Sequence, residues 1–120
     1  MSLPKVLSDL QLTKECRKFI VIIYRLTDLL PDTEKYGLVS QMRRAVVSVL
    51  ANLVEGYSRQ TKKDKLHFFT MARASFREVE CFILVLKDLR YITEDHYDYV
   101  LEKKDVVGGM LTNFIKSYEK

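Results

Sequence analysis

Few residues in this chain could do chemistry, and most of them stand alone. His67 follows Asp64 at an acid-x-x-His spacing that occurs once, and His96 lies far from it. A di-iron helical bundle needs two Glu-x-x-His pairs and two further inward glutamates, so neither histidine completes a metal site. Ser48 and Ser75 have no neighbouring histidine, and no Gly-x-Ser-x-Gly elbow occurs. Glu78 and Glu80 are two residues apart, which places them on different sides of a helix rather than as a working pair. No glycine-rich loop is present to cradle a nucleotide phosphate. Cys16 and Cys81 form no Cys-x-x-Cys or Cys/His pattern and are both expected to be small buried core residues. These absences lead to the expectation of a non-enzymatic protein with no metal and no cofactor.

What the chain does offer is positive charge in one place. Residues 36–66 hold Arg43, Arg44, Arg59, Lys62, Lys63 and Lys65 against Glu55 and Asp64, a surplus equal to the whole net charge of +4. Local potential steers a polyanion more than total charge does. Arg73 and Arg77 continue the basic character at a spacing of four, so they share one edge of a helix. A strip of Lys62, Lys65, Arg73 and Arg77, with Tyr57 beside it, suits a phosphate backbone. Such contacts neutralise phosphates without base-specific geometry, and they are salt-sensitive. The same charges could equally be a solvated helix end. The row of stacking aromatics expected of a sequence-specific single-strand reader is absent.

A second, polar group accompanies the first. Gln41, Ser48, Asn52 and Glu55 step by seven, four and three along one helical face, and Ser75 and Glu78 form a similar strip further on. In an antiparallel helical hairpin these strips lie near each other. They are either a hydrogen-bonded or solvated seam that fixes register, or a functional or subunit-contact surface.

The elements that must position these groups are helices. Leu12, Cys16, Phe19, Ile23, Leu26 and Leu30 repeat every seven residues, as nearly parallel helix packing requires. Pro31 then stops the pattern, predicting a helix over about 9–30. Leu38, Met42, Val46, Val49 and Leu53 predict a second helix over about 38–58, its last turn weakened by Gly56. Thr61 and Asp64 form a helix start. The stripe Leu66, Phe69, Ala72, Phe76, Val79, Ile83 and Leu86 extends from it over about 62–90. Thr93 caps a fourth helix over about 94–118, with the seam Tyr97, Val100, Val107, Leu111, Phe114 and Tyr118. Gly108 and Gly109 interrupt it, implying either a bend or the close approach of another backbone.

No segment keeps a period of two, so the fold class is all-α: an up-down-up-down antiparallel four-helix bundle in which residues 1–120 make one domain. With 48% apolar and 30% charged residues the composition is that of a folded protein rather than a disordered one. The N-terminus lacks the apolar run of a signal peptide and no stretch reaches a membrane span, which leads to the expectation of a cytoplasmic protein without a membrane partner.

The run YGLVSQMRRAVVSVLANLVEGYSRQTKKD, followed by FFTMARASFREVE, resembles a bacterial four-helix-bundle family. One branch comprises proteins encoded in intervening sequences of large-subunit ribosomal RNA genes. The other is the accessory variability determinant of diversity-generating retroelements. The resemblance covers about residues 12–118, and Gly37–Glu80 carries its most specific positions. Leu50 stands where members commonly have proline, and Ala74 replaces a common glycine; both substitutions tighten or straighten local packing. The resemblance implies a homopentameric barrel with a positively charged surface. In the retroelement branch it implies an accessory that binds a reverse transcriptase and template RNA or DNA without being an enzyme.

The leading expectation is therefore a nucleic-acid-binding oligomer, with Arg43, Arg44, Arg59, Lys62, Lys63, Lys65, Arg73 and Arg77 facing phosphates. Gln41, Ser48, Asn52, Glu55, Ser75 and Glu78 would hold helices or subunits in register. The alternative is an interaction scaffold whose basic face docks an acidic protein.

Overall fold

A computed structural model describes residues 10–120. Four α-helices account for most of it: α1 (Gln11–Thr27), α2 (Ser40–Tyr57), α3 (Lys62–Asp88) and α4 (Glu94–Glu119). No strand occurs among the described residues. Helices adjacent in sequence pack side by side, and α1 packs against α4 to close a four-helix bundle. Contacts at the helix ends show the alternating directions. Arg43, near the start of α2, reaches Asp28 at the end of α1, while Lys62 at the start of α3 bonds the backbone oxygen of Lys120 beyond α4.

The heptad seam of α1 is buried as its spacing predicts, from Leu12 through Cys16, Phe19 and Ile23 to Leu26. The helix nevertheless ends at Thr27, three residues before the expected stop, and residue 9 of the expected range lies outside the described residues. Leu30 precedes Pro31, whose ring disfavours the helical conformation in the residue before it. The amides of Leu29 and Leu30 accordingly turn to the carbonyls three residues back. Leu30 stays buried although it has left the helix.

Between α1 and α2 lie a 3-10 turn (Asp32–Glu34) and a wide turn (Lys35–Val39), so α2 starts at Ser40 rather than 38. Gly37, within the turn expected before Leu38, adopts φ −109°, ψ −107°, a non-helical conformation that glycine tolerates. Glu34 accepts a hydrogen bond from the Tyr91 hydroxyl at 2.9 Å, tying this connection to the one between α3 and α4. That bond is the main reason the Tyr91 phenol titrates above its ordinary value. Beyond the turn, α2 runs without a break through half-buried Leu50.

Both threonine caps form as predicted. The Thr61 hydroxyl accepts from the Asp64 amide and the Thr93 hydroxyl from the His96 amide, each at 3.1 Å. Helix α3 ends at Asp88, and Arg90 takes a left-handed conformation (φ 60°) that turns the chain toward α4. Its phase buries Val79 and Ile83, which leaves Cys81 exposed; only Cys16 is the buried core cysteine expected of both. Burial pushes the Cys16 thiol up to about 12, with a smaller contribution from Glu15.

In α4 the innermost position of the last turns is Ile115, not Phe114 or Tyr118. Those two rings are half-buried and pack edge-on against Phe69 of α3 at 4.9 and 5.0 Å. The helix is continuous through Gly108 and Gly109. A Cβ at Gly108 would lie 3.1 Å from the Phe76 ring, so a side chain rather than another backbone approaches it. No helix among the described residues is long and apolar enough to cross a membrane.

Candidate nucleic-acid interface

The basic segment folds into the α2–α3 hairpin, where its charges split into two groups. In the first, the cations are held by the chain itself. Arg43 donates to Asp28 at 2.8 Å, to the Thr27 hydroxyl at 2.9 Å and to the Tyr24 carbonyl at 3.3 Å, and its guanidinium covers the Tyr24 ring at 4.6 Å. It clamps α1 to α2. Arg59 pairs with Glu55 at 2.6 Å and lies over the Phe68 ring. Lys65, half-buried, donates to the Tyr57 carbonyl at 2.8 Å, and Lys62 is drawn to Lys120.

The second group is Arg44, Lys63, Arg73 and Arg77. Among the described residues none of these four has a hydrogen-bond or ion-pair partner. Arg44, Lys63 and Arg77 are exposed and Arg73 is half-buried. Arg73 and Arg77 stand one turn apart on the side of α3 that faces α4, bordering a notch of about 370 Å³ whose far wall carries Lys104, Gly108 and Gly109. The strip expected from Lys62, Lys65, Arg73 and Arg77 is thus not continuous. Lys65 is turned to Tyr57, while the two arginines carry on alone along the α3–α4 edge.

The polar strip divides in the same way. Ser75 of α3 donates to the Ser48 hydroxyl of α2 at 3.0 Å, and the Asn52 amide donates to both the Ser48 hydroxyl and its carbonyl. These three residues form a half-buried hydrogen-bonded link across α2 and α3, and a polar link of this kind specifies how two helices align. Glu55 belongs instead to Arg59, and Gln41 and Glu78 are exposed and take no part in the link.

Sequence reasoning missed Lys104, which bridges Glu80 at 3.1 Å and Asp105 at 2.8 Å and so joins α3 to α4. The Asp105 contact is the main cause of its raised pKa. A lysine four and five residues from two glycines gave no periodic signal. It also missed a groove of about 550 Å³ between α1 and α4, lined by Val21, Ile22, Tyr99 and Val106 with Lys18, Arg25 and Lys103 around them. Val21, Tyr99 and Val106 are each about half exposed there, an apolar surface that the bundle itself does not cover. Among the described residues no cluster of histidine, cysteine or carboxylate side chains could hold a metal ion.

One solved structure, a protein of unknown function from the S23 ribosomal protein family of Bacteroides thetaiotaomicron VPI-5482, superposes on the chain with a TM-score of 0.79. The match covers 88% of this chain and 98% of that one at 23% identity, a likeness of fold. No curated protein matches. The sequence of residues 8–113 matches the family described as 23S rRNA-intervening sequence protein, and the chain belongs to that family.

Proposed function

We propose that the protein is a non-enzymatic nucleic-acid-binding accessory that works as an oligomer, a homopentamer by the family resemblance. One observation carries the reading. In a chain whose surplus charge is concentrated in one hairpin, Arg44, Lys63, Arg73 and Arg77 are left without acidic partners among the described residues. Cations held in this way lower the free energy of a polyanion at the surface without first breaking an internal pair. Membership of a family named for ribosomal RNA intervening sequences favours RNA as the ligand, and a reverse transcriptase is the protein partner implied by the retroelement branch. The half-exposed apolar groove between α1 and α4 supplies surface for self-association, and Gln41 and Glu78 are free to meet a neighbouring copy.

The test is binding of short single-stranded RNA and duplex DNA, followed by anisotropy and by light scattering. If four to six phosphates are neutralised, affinity falls by about 10²–10³ between 50 and 200 mM salt. Reversing Arg44, Lys63, Arg73 and Arg77 to glutamate together abolishes binding while the helical content stays. Binding that is absent, or that ignores salt, ends this reading and turns attention to an acidic protein as the ligand of the same face.

A further inference from the structure

Gly108 and Gly109 stand in the middle of a continuous helix, where each costs about 1 kcal/mol relative to alanine. Gly108 has a local reason: a Cβ there would press on the Phe76 ring at 3.1 Å. Gly109 has none, because a Cβ built on it meets nothing within 4 Å. A bare backbone with open space beside it suits a group from outside the chain that comes close to the helix.

The surroundings define that group. Gly109 borders the notch of about 370 Å³ between α3 and α4, together with Arg73 and Arg77. Two carboxylates, Glu80 and Asp105, also border it, but both are engaged by the single ammonium of Lys104 at 3.1 and 2.8 Å. The two arginines are engaged by no acid among the described residues, so the charge left over at the notch is positive. Thr112 and Asn113 add neutral hydrogen-bonding groups on the α4 side. A lone carboxylate from a protein would fill a small part of this volume, whereas a phosphate with its sugar fills much more of it. Guanidinium pairs also match phosphate oxygens two at a time.

Building on the nucleic-acid reading above, we propose that the α3–α4 notch seats one backbone phosphate of the bound strand. Arg73 and Arg77 clamp the phosphate oxygens, and the attached sugar lies over Gly109, where any side chain would displace it. Arg44 and Lys63 meet the strand elsewhere.

Gly109→Leu tests the shape of the notch without altering its charge, and the substitution favours the helix, so the variant folds. With fluorescent single-stranded oligouridine as probe, Gly109→Leu weakens binding about tenfold. Arg73→Gln with Arg77→Gln reduces the slope of log affinity against log salt by about 0.7, the share of a single phosphate on a single strand. Unchanged affinity in Gly109→Leu, with the wild-type protein binding RNA, overturns the notch and leaves the general function standing. A second arm titrates uridine monophosphate and inorganic phosphate while amide NMR follows Gly109 and Thr112. Shifts there that disappear in Gly109→Leu, in a protein that binds no RNA, keep the notch as a site for free phosphate compounds and end the nucleic-acid reading. Absence of both RNA binding and amide shifts overturns both.

Discussion

Along the seam between α2 and α3, Gly56 lets Phe69 approach until a Cβ would lie 2.7 Å from its ring, and Ser48, Asn52 and Ser75 bond to one another. Along the edge between α3 and α4, Gly109 has nothing within 4 Å, and Arg73 and Arg77 reach no acid among the described residues. The residue types are alike in the two places: glycine inside a helix, with polar or charged groups along the same pair of helices. In the seam every such group is used by the fold. At the edge the fold uses none of those three. Residue type therefore does not separate the groups that the fold consumes from those that it leaves available; what does is whether the bundle has already supplied the residue with a partner.

Substitutions at the two glycines should separate the regions most sharply, beginning with the seam. Gly56→Val places branched carbons against Phe69, which is fully buried and wedged by Phe114 and Tyr118, so the ring has nowhere to move. Urea denaturation should show a loss of about 3 kcal/mol, the upper range for overpacking a close-packed core. A loss under about 1 kcal/mol would mean that the seam yields and that the contrast is overstated.

The next largest effect concerns Arg43, a predicted phosphate ligand that the fold uses as a clamp. Arg43→Ala removes the bonds to Asp28 and Thr27, and because Asp28 is largely exposed the expected loss is about 1–2 kcal/mol. RNA affinity measured on the folded variant should stay within about twofold of the wild type, since a residue paired internally contributes little to the salt-dependent term. A large fall in affinity at unchanged stability would return Arg43 to the interface.

This division marks how far the sequence could be read. The seven-residue repeat gave four helices and most of their buried faces, because burial of an apolar stripe is dictated by period alone. Both threonine caps were legible because the hydroxyl-to-amide contact is local in sequence. The end of α1 and the start of α2 were not, since they depend on the residue before Pro31 and on the unusual backbone of Gly37. Cys81 was misplaced because a cysteine carries no phase information of its own, and Ile115 was missed because Phe114 and Tyr118 are the larger apolar residues nearby. For the site, spacing put the cations on the correct helices. It could not say that Arg43 would meet Asp28 fifteen residues away, or that Lys104 would neutralise Glu80 across two helices.

Alkaline pH probes the buried core by a different route. The Cys16 thiol is raised from 9.0 to about 12 by burial, so the folded protein keeps a proton that the unfolded chain gives up above pH 9. Stability is fully present below pH 9 and declines as pH rises toward 12, by about 1 kcal/mol at pH 10. Tyr118, also raised by burial, acts in the same direction. Cys16→Ala should flatten the pH dependence between 9 and 11 whatever it does to stability at pH 7. Exposed Cys81 should be the only thiol that a disulfide reagent labels rapidly in the native protein, and rapid labelling of both would mean that α1 opens.

The smallest effect is the one of opposite sign. Gly109→Ala adds a methyl group that touches nothing and removes a helix-weakening residue, so the protein should gain up to about 1 kcal/mol. Gly108→Ala gains the same backbone term but pushes on Phe76 at 3.1 Å, so its net change should be near zero or unfavourable. The ordering Gly109→Ala above wild type, Gly108→Ala at or below it and Gly56→Val far below follows from helix propensity and the space beside each glycine. Should Gly109→Ala fail to stabilise, a contact at that position would have to exist, and the α3–α4 edge would be less open than the isolated chain makes it. Should it stabilise the protein and still weaken RNA binding, stability and binding would diverge at one methyl group. That divergence is expected of a residue kept small for a ligand, and a residue kept small for packing would not produce it.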